Sequence, residues 1–202
     1  MQPVVIISGL SAPHIAAVAY GRIFSARGYP TFAAPQRLLG YGDIRVAAKL
    51  VDDEVQRARK KTGADKVHLV GMSLGGLIGL YYVKCAGGAP FVDCFVSVGG
   101  PLNGSTLAHL VEAVPLGCVH AIAQTTTDST LMREIQAAPV PKGVRMYSVG
   151  TRGDVITPRS SWDAAGLVPV ETEHGRFPVG HWMLFAHPGN HAAVLQLLEE
   201  QK

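Results

Sequence analysis

The run Val67-His68-Leu69-Val70-Gly71-Met72-Ser73-Leu74-Gly75-Gly76-Leu77 sets a serine between two glycines, each two positions away. A serine hydroxyl attacks a carbonyl carbon only when a base takes its proton and a carboxylate holds that base in place. The spacing fits such a nucleophile. A tight strand-to-helix turn leaves no room for Cβ atoms at the glycine positions and lifts the hydroxyl above the strand ends. Leu74 then opens a helix, and its backbone N–H can face a developing oxyanion. In a chain with 23 glycines the bare pattern is weak, and a glycine-rich turn with an inert serine is the alternative. The apolar run before the turn and the helical run after it sharpen the nucleophile reading.

A serine so placed requires an acid and then a base further along the chain. Four aspartates follow it. Asp93 falls inside an expected strand, Asp128 in an irregular stretch, and Asp163 near an expected helix start. Asp154, in Gly150-Thr151-Arg152-Gly153-Asp154-Val155-Ile156-Thr157-Pro158, comes just past a strand and is the best placed. A turn-forming aspartate after glycine is its plain alternative. Four histidines follow Asp154: His174, His181, His187 and His191. Spacing favours His181 over His174 without excluding the latter. His187 and His191 open the final helix, where surface or capping roles suffice, and no further ligand completes a zinc site with them. A second oxyanion donor is expected from Ser8-Gly9-Leu10-Ser11, through the Leu10 N–H.

These residues need a scaffold that brings them to one edge. Val4 to Ile7, Thr31 to Ala34, Lys66 to Val70, Phe91 to Val98, Val144 to Val149 and Val168 to Thr172 read as strands, the last an edge strand that tolerates Pro169. Helices are expected over Pro13 to Ala26, Ile44 to Lys61 with Gly63 as its cap, Leu74 to Cys85, Thr130 to Gln136 and Ala192 to Glu200. Asn103 to Val140 is otherwise irregular. The alternation predicts an α/β fold with a mostly parallel central sheet and helices on both faces. Ligands of such sheets bind beyond the carboxyl ends of the strands, where Leu10, Ser73 and Asp154 are expected.

Composition narrows the partners. At 48% hydrophobic and 16% charged residues the chain is globular rather than disordered, and its 202 residues suit a single domain spanning 1–202. The net charge is only +3, and the basic Arg57–Lys61 cluster ends a helix, so a nucleic-acid surface is not expected. The three cysteines, Cys85, Cys94 and Cys118, show no metal spacing. No run reaches the roughly 20 apolar residues of a membrane span. The expectation is a soluble chain, cytoplasmic as written or the mature part of a secreted precursor.

Taken together, the motifs resemble the α/β-hydrolase superfamily, and within it the small bacterial lipases and esterases. Gly71-Met72-Ser73-Leu74-Gly75-Gly76-Leu77 is similar to the nucleophile elbow, and Val98-Gly99-Gly100-Pro101-Leu102-Asn103-Gly104-Ser105 to the turn after the next strand. Gly153-Asp154-Val155-Ile156-Thr157-Pro158 resembles the acid loop, and Val179-Gly180-His181 followed by His187-Pro188 the histidine loop, which moves His181 ahead of His174. Two departures stand out: Ser8-Gly9 where many members have His-Gly, and Arg176-Phe177-Pro178 before the histidine. The resemblance implies a minimal form of the fold without a cap domain, so that any lid comes from Asn103 to Val140. It implies Ser73, His181 and Asp154 as a catalytic triad, with Leu10 and Leu74 N–H groups as the oxyanion hole, acting on a small-molecule ester or lipid. No metal or organic cofactor is implied, and a monomer is expected. Leu107, Leu110, Val111, Val114 and Leu116 are candidates to hold an acyl chain, with Trp182 lining the pocket. Thioesterases, acyltransferases and amidases use the same triad, and a non-catalytic binding protein on this fold is the rival outside enzymes.

Overall fold

The computed structural model describes residues 1–37, 40–105, 108, 120–173 and 180–200. Six strands form one sheet in the order β2-β1-β3-β4-β5-β6, and all five pairings are parallel. The strands are β1 (Val4–Ile7), β2 (Thr31–Ala33), β3 (Val67–Met72), β4 (Val92–Val98), β5 (Arg145–Thr151) and β6 (Val168–Thr172). The described helices are α1 (His14–Ser25), α2 (Ile44–Thr62), α3 (Leu74–Cys85), α4 (His120–Gln124), α5 (Thr130–Ala137), α6 (Arg159–Trp162), α7 (Gly180–Ala186) and α8 (Pro188–Glu199).

The unbroken apolar strands are explained by burial on both faces. Val5, Ile7, Val67, Leu69 and Phe95 point into one core with α2 and α3. Val4, Ile6, Val70, Val96 and Val149 point into a second core with Tyr20 and Phe24 of α1 and Val194 and Leu198 of α8. Parallel register then aligns the strand ends. Ile7 lies opposite Gly71, Met72 opposite Val98, and Val98 opposite Val149. The loops after β1, β3, β4 and β5 therefore gather at one edge of the sheet.

Helix α2 is held at both ends. The Asp43 carboxylate accepts from the Arg45 N–H at its start, and Gly63 closes it in the left-handed region, φ 72°. The basic cluster does end this helix: Arg57 pairs with Glu54 and lies over the Phe32 ring, and Arg59 lies over Phe91. Three expectations need correction. Strand β3 runs on to Met72, so the serine follows it directly. His181, expected in a loop, lies in the first turn of helix α7. The final helix starts at Pro188 rather than Ala192, because His187 Nδ1 accepts from the Gly189 N–H and Pro188 needs no donor there. The residues proposed above for an acyl chain between 107 and 116, together with His174 and the 176–178 segment, lie outside the described residues.

Candidate active site

Ser73 occupies the one-residue joint between β3 and α3 with φ 51° and ψ −124°. A non-glycine residue in that region is strained by about 1–3 kcal/mol and persists only where its surroundings over-determine it. Here they do. The Ser73 N–H donates to the Val98 carbonyl at 2.8 Å, and its own carbonyl accepts from the Gly76 N–H at 2.8 Å. A Cβ on Gly71 would strike the Gly75 carbonyl, and one on Gly75 would strike the carbonyls of Ile7 and Ser8. Both glycines are thus set by close backbone approach.

The acid comes from the loop after β5. Asp154 is 3% exposed, and its Oδ1 accepts from the N–H groups of Ile156 and Thr157, each at 2.9 Å. Oδ2 accepts from Thr157 Oγ1 at 2.6 Å and from His181 Nδ1 at 2.7 Å. Burial by itself would raise the pKa of this carboxyl, but the hydrogen bonds from His181 and Thr157 outweigh it and hold the group below the usual carboxylate range. An ionised carboxylate only accepts, so the proton of the imidazole sits on Nδ1 and leaves Nε2 as an acceptor.

His181 is 4% exposed in the first turn of α7. Its Nε2 lies 3.0 Å from Ser73 Oγ, in place to accept the hydroxyl proton. Phe185, one turn on, and Trp182 meet the ring edge-on at 5.3 and 5.9 Å. Asn190 of α8 donates to the Met183 carbonyl at 2.8 Å and fastens α7 to the buried final helix.

Over the serine lies the loop after β1. A Cβ on Gly9 would sit 2.9 Å from Ser73 Cβ, so glycine lets the loop backbone close on Ser73. Gln36 clamps that loop: its Nε2 donates to the carbonyls of Ser8 and Gly9 at 3.2 and 3.0 Å, while its Oε1 accepts from Ser8 Oγ at 2.9 Å. With those carbonyls engaged, the loop is held by its oxygens. Leu10 and Leu74 both line the cleft that opens on Ser73. Leu74 is the first residue of α3, where N–H groups have no partner within the helix.

The structure thus brings Ser73, His181 and Asp154 into one hydrogen-bonded chain, with Leu10 and Leu74 beside the serine. The other aspartates lie elsewhere. Asp93 accepts from Arg145 at 2.6 Å, and Asp163 ends α6, where an expectation had it at a helix start, and accepts from Arg159. Gln36 and Thr157 escaped the sequence reading. Thr157 sits three residues after the acid, a spacing at which a hydroxyl can reach back to a carboxylate, whereas no local signal marks Gln36.

The sequence profile of the α/β hydrolase fold matches residues 3–117, a stretch that contains Ser73 and ends before Asp154 and His181. No curated protein matches the chain in sequence. Among solved structures, the mature form of the Bacillus licheniformis lipase BlEst2 superposes with a TM-score of 0.82 at 14% identity, covering 98% of this chain and 91% of that one. The Exiguobacterium antarcticum esterase EaEST does so with a TM-score of 0.67 at 17% identity, covering 99% and 92%. The lin2722 product of Listeria innocua gives 0.70 at 13%, covering 100% and 95%. At such identities the likeness speaks to the fold, and it agrees with the profile match over more than half the chain. The chain belongs to the α/β-hydrolase fold family.

Proposed function

We propose that this α/β hydrolase cleaves carboxylic esters through an acyl-enzyme on Ser73. The observation that carries the proposal is the relay from Ser73 Oγ to His181 Nε2 at 3.0 Å and from His181 Nδ1 to Asp154 Oδ2 at 2.7 Å, at the mouth of apolar clefts. His181 accepts the hydroxyl proton as Ser73 Oγ bonds to the carbonyl carbon. The oxyanion forms toward the N–H groups of Leu10 and Leu74, where one donor contributes about 3 kcal/mol. The imidazolium then protonates the departing alcohol oxygen. A water, deprotonated by the same Nε2, releases the acid and restores the serine. Asp154 holds the imidazole tautomer and stabilises its cation throughout. Lipase and esterase structures among the fold's neighbours support this choice of reaction.

The test is hydrolysis of p-nitrophenyl esters by the wild-type protein beside Ser73→Ala and His181→Ala. Both variants should lose at least about 10³-fold in kcat. An unchanged rate in the folded Ser73→Ala protein would overturn the mechanism.

A further inference from the structure

We propose that the site selects its substrate on the leaving-group side: the cleft between α1 and α7 receives the alcohol half of the ester, and that half is large and apolar. The inference rests on the ester-hydrolase reading and deepens it. Among the described residues, two clefts open on Ser73 and share Leu10 and the serine itself in their lining. One, of about 200 Å³, runs past Leu74, Pro101, Ile122 and Thr157. The other, of about 440 Å³, runs along α1 to Ile23 and is walled by His181, Trp182 and Phe185.

Proton delivery decides which half of the ester goes where. The imidazolium formed by attack must give its proton to the alcohol oxygen, so that oxygen lies within hydrogen-bond reach of His181 Nε2. Among the described residues His181 lines the larger cleft and not the smaller. The alcohol therefore leaves along α1, and the acyl chain takes the cleft past Leu74. At roughly 30 Å³ per water-sized group, the alcohol side has room for about fifteen such groups and the acyl side, between its described residues, for about seven.

The wall of the larger cleft fits an apolar guest. Ala16, Ala19 and Ile23 recur at helical spacing toward it, with Ala12 just ahead of the helix, so α1 presents methyl groups where larger side chains would fill the space. Opposite stand Trp182, 63% exposed at the rim, and Phe185. Each methylene buried there raises kcat/KM by up to about fourfold.

The experiment uses two series of aliphatic esters of primary alcohols, which keeps leaving-group acidity nearly constant. In the first, acetate esters run from ethanol through butanol to cyclohexylmethanol and 2-naphthylethanol. In the second, ethyl esters run from acetate to decanoate. We expect kcat/KM to rise at least tenfold along the alcohol series and to fall along the acyl series beyond about seven carbons. A larger gain along the acyl series, or equal gains, overturns the inference. Ala16→Phe narrows the cleft and should lower the ratio of kcat/KM for 2-naphthylethyl acetate over ethyl acetate at least tenfold. That ratio is independent of how much of the variant is folded, and an unchanged ratio also overturns the inference. Hydrolysis that persists in Ser73→Ala would refute the ester-hydrolase reading and this inference with it. Ser73-dependent hydrolysis without alcohol preference would refute this inference alone.

Discussion

Ser73 and its two glycines lie within a single five-residue stretch, whereas His181 reaches Asp154 across 27 positions and Ser73 across 108. The nucleophile side is a backbone construction. Its geometry comes from glycine contacts, a strained joint and two main-chain hydrogen bonds, all closed by neighbours in sequence or in the sheet. The acid–base side is a side-chain construction, in which a buried carboxylate collects four hydrogen bonds and orients a ring carried by another element. Ser73 itself apart, polar side-chain substitutions should therefore injure the second side far more than the first, which yields chiefly to changes of backbone or pH.

The severest break is Asp154→Asn. The amide can hold the ring in the wrong tautomer, and kcat should fall about 10⁴-fold with the fold intact by circular dichroism. A loss under tenfold would show that the carboxylate charge is not what the site uses.

The next effect falls on the nucleophile side and on stability. His68, on β3 ahead of the serine, is buried beside the Tyr29 ring, and burial pushes its pKa down to about 4 despite Asp93 at 3.8 Å. The folded state keeps this imidazole neutral, while the unfolded chain takes up a proton below about pH 6.5. Stability is thus fully present above that pH and is lost as pH falls toward 4, by at most about 3 kcal/mol. Asp154, whose pKa is also depressed, adds its loss only at lower pH, below the ordinary carboxylate value. Denaturant titrations at pH 7.5 and 4.5 should show the drop in the wild-type protein and a flatter response in His68→Gln. Equal slopes in the two proteins would place the acid sensitivity elsewhere.

A smaller effect returns to the acid. Thr157→Val keeps the volume but removes the Oγ1 donor to Asp154, and should lower kcat about 10–30-fold, or about 1.5–2 kcal/mol. The pH–rate profile should shift as well, since the carboxylate loses a hydrogen bond that favours its charged form. The smallest effect belongs to Gln36→Leu, which frees the carbonyls of Ser8 and Gly9. A fall in kcat of about fivefold, with KM within twofold, is expected from loosened oxyanion donors. Gln36→Glu keeps the acceptor for Ser8 Oγ but loses both donors, and should behave like the leucine variant. If KM rises instead, the clamp shapes binding rather than the transition state.

The same contrast explains what could be read from the sequence. The strands and helices α1, α2 and α3 were legible because burial leaves continuous apolar runs and periodic faces, and a cap such as Gly63 marks an end. The serine turn was legible because its requirements are local. Helices α4, α6 and α7 were not, since segments of four to seven residues form no stable helix alone and exist here through tertiary contacts. For α7 the glycine at its start, Gly180, also argued for a loop. Asp154 could be chosen over Asp163 from its place just past a strand, whereas the choice of His181 over His174 leaned on resemblance. Thr157 left a local clue three residues after Asp154, whereas Gln36 matters only through the Ser8 and Gly9 carbonyls opposite it in space, which no periodicity records.

The fastening of α7 to α8 through Asn190 has a consequence in time. During synthesis Ser73 leaves the ribosome 108 residues ahead of the imidazole that would activate it. Until α8 seats Val194, Leu197 and Leu198 against the sheet, the nascent chain carries a finished turn with an unarmed hydroxyl. On the proposed mechanism, loss of that late helix would unseat the imidazole and leave a serine 108 residues upstream without its base.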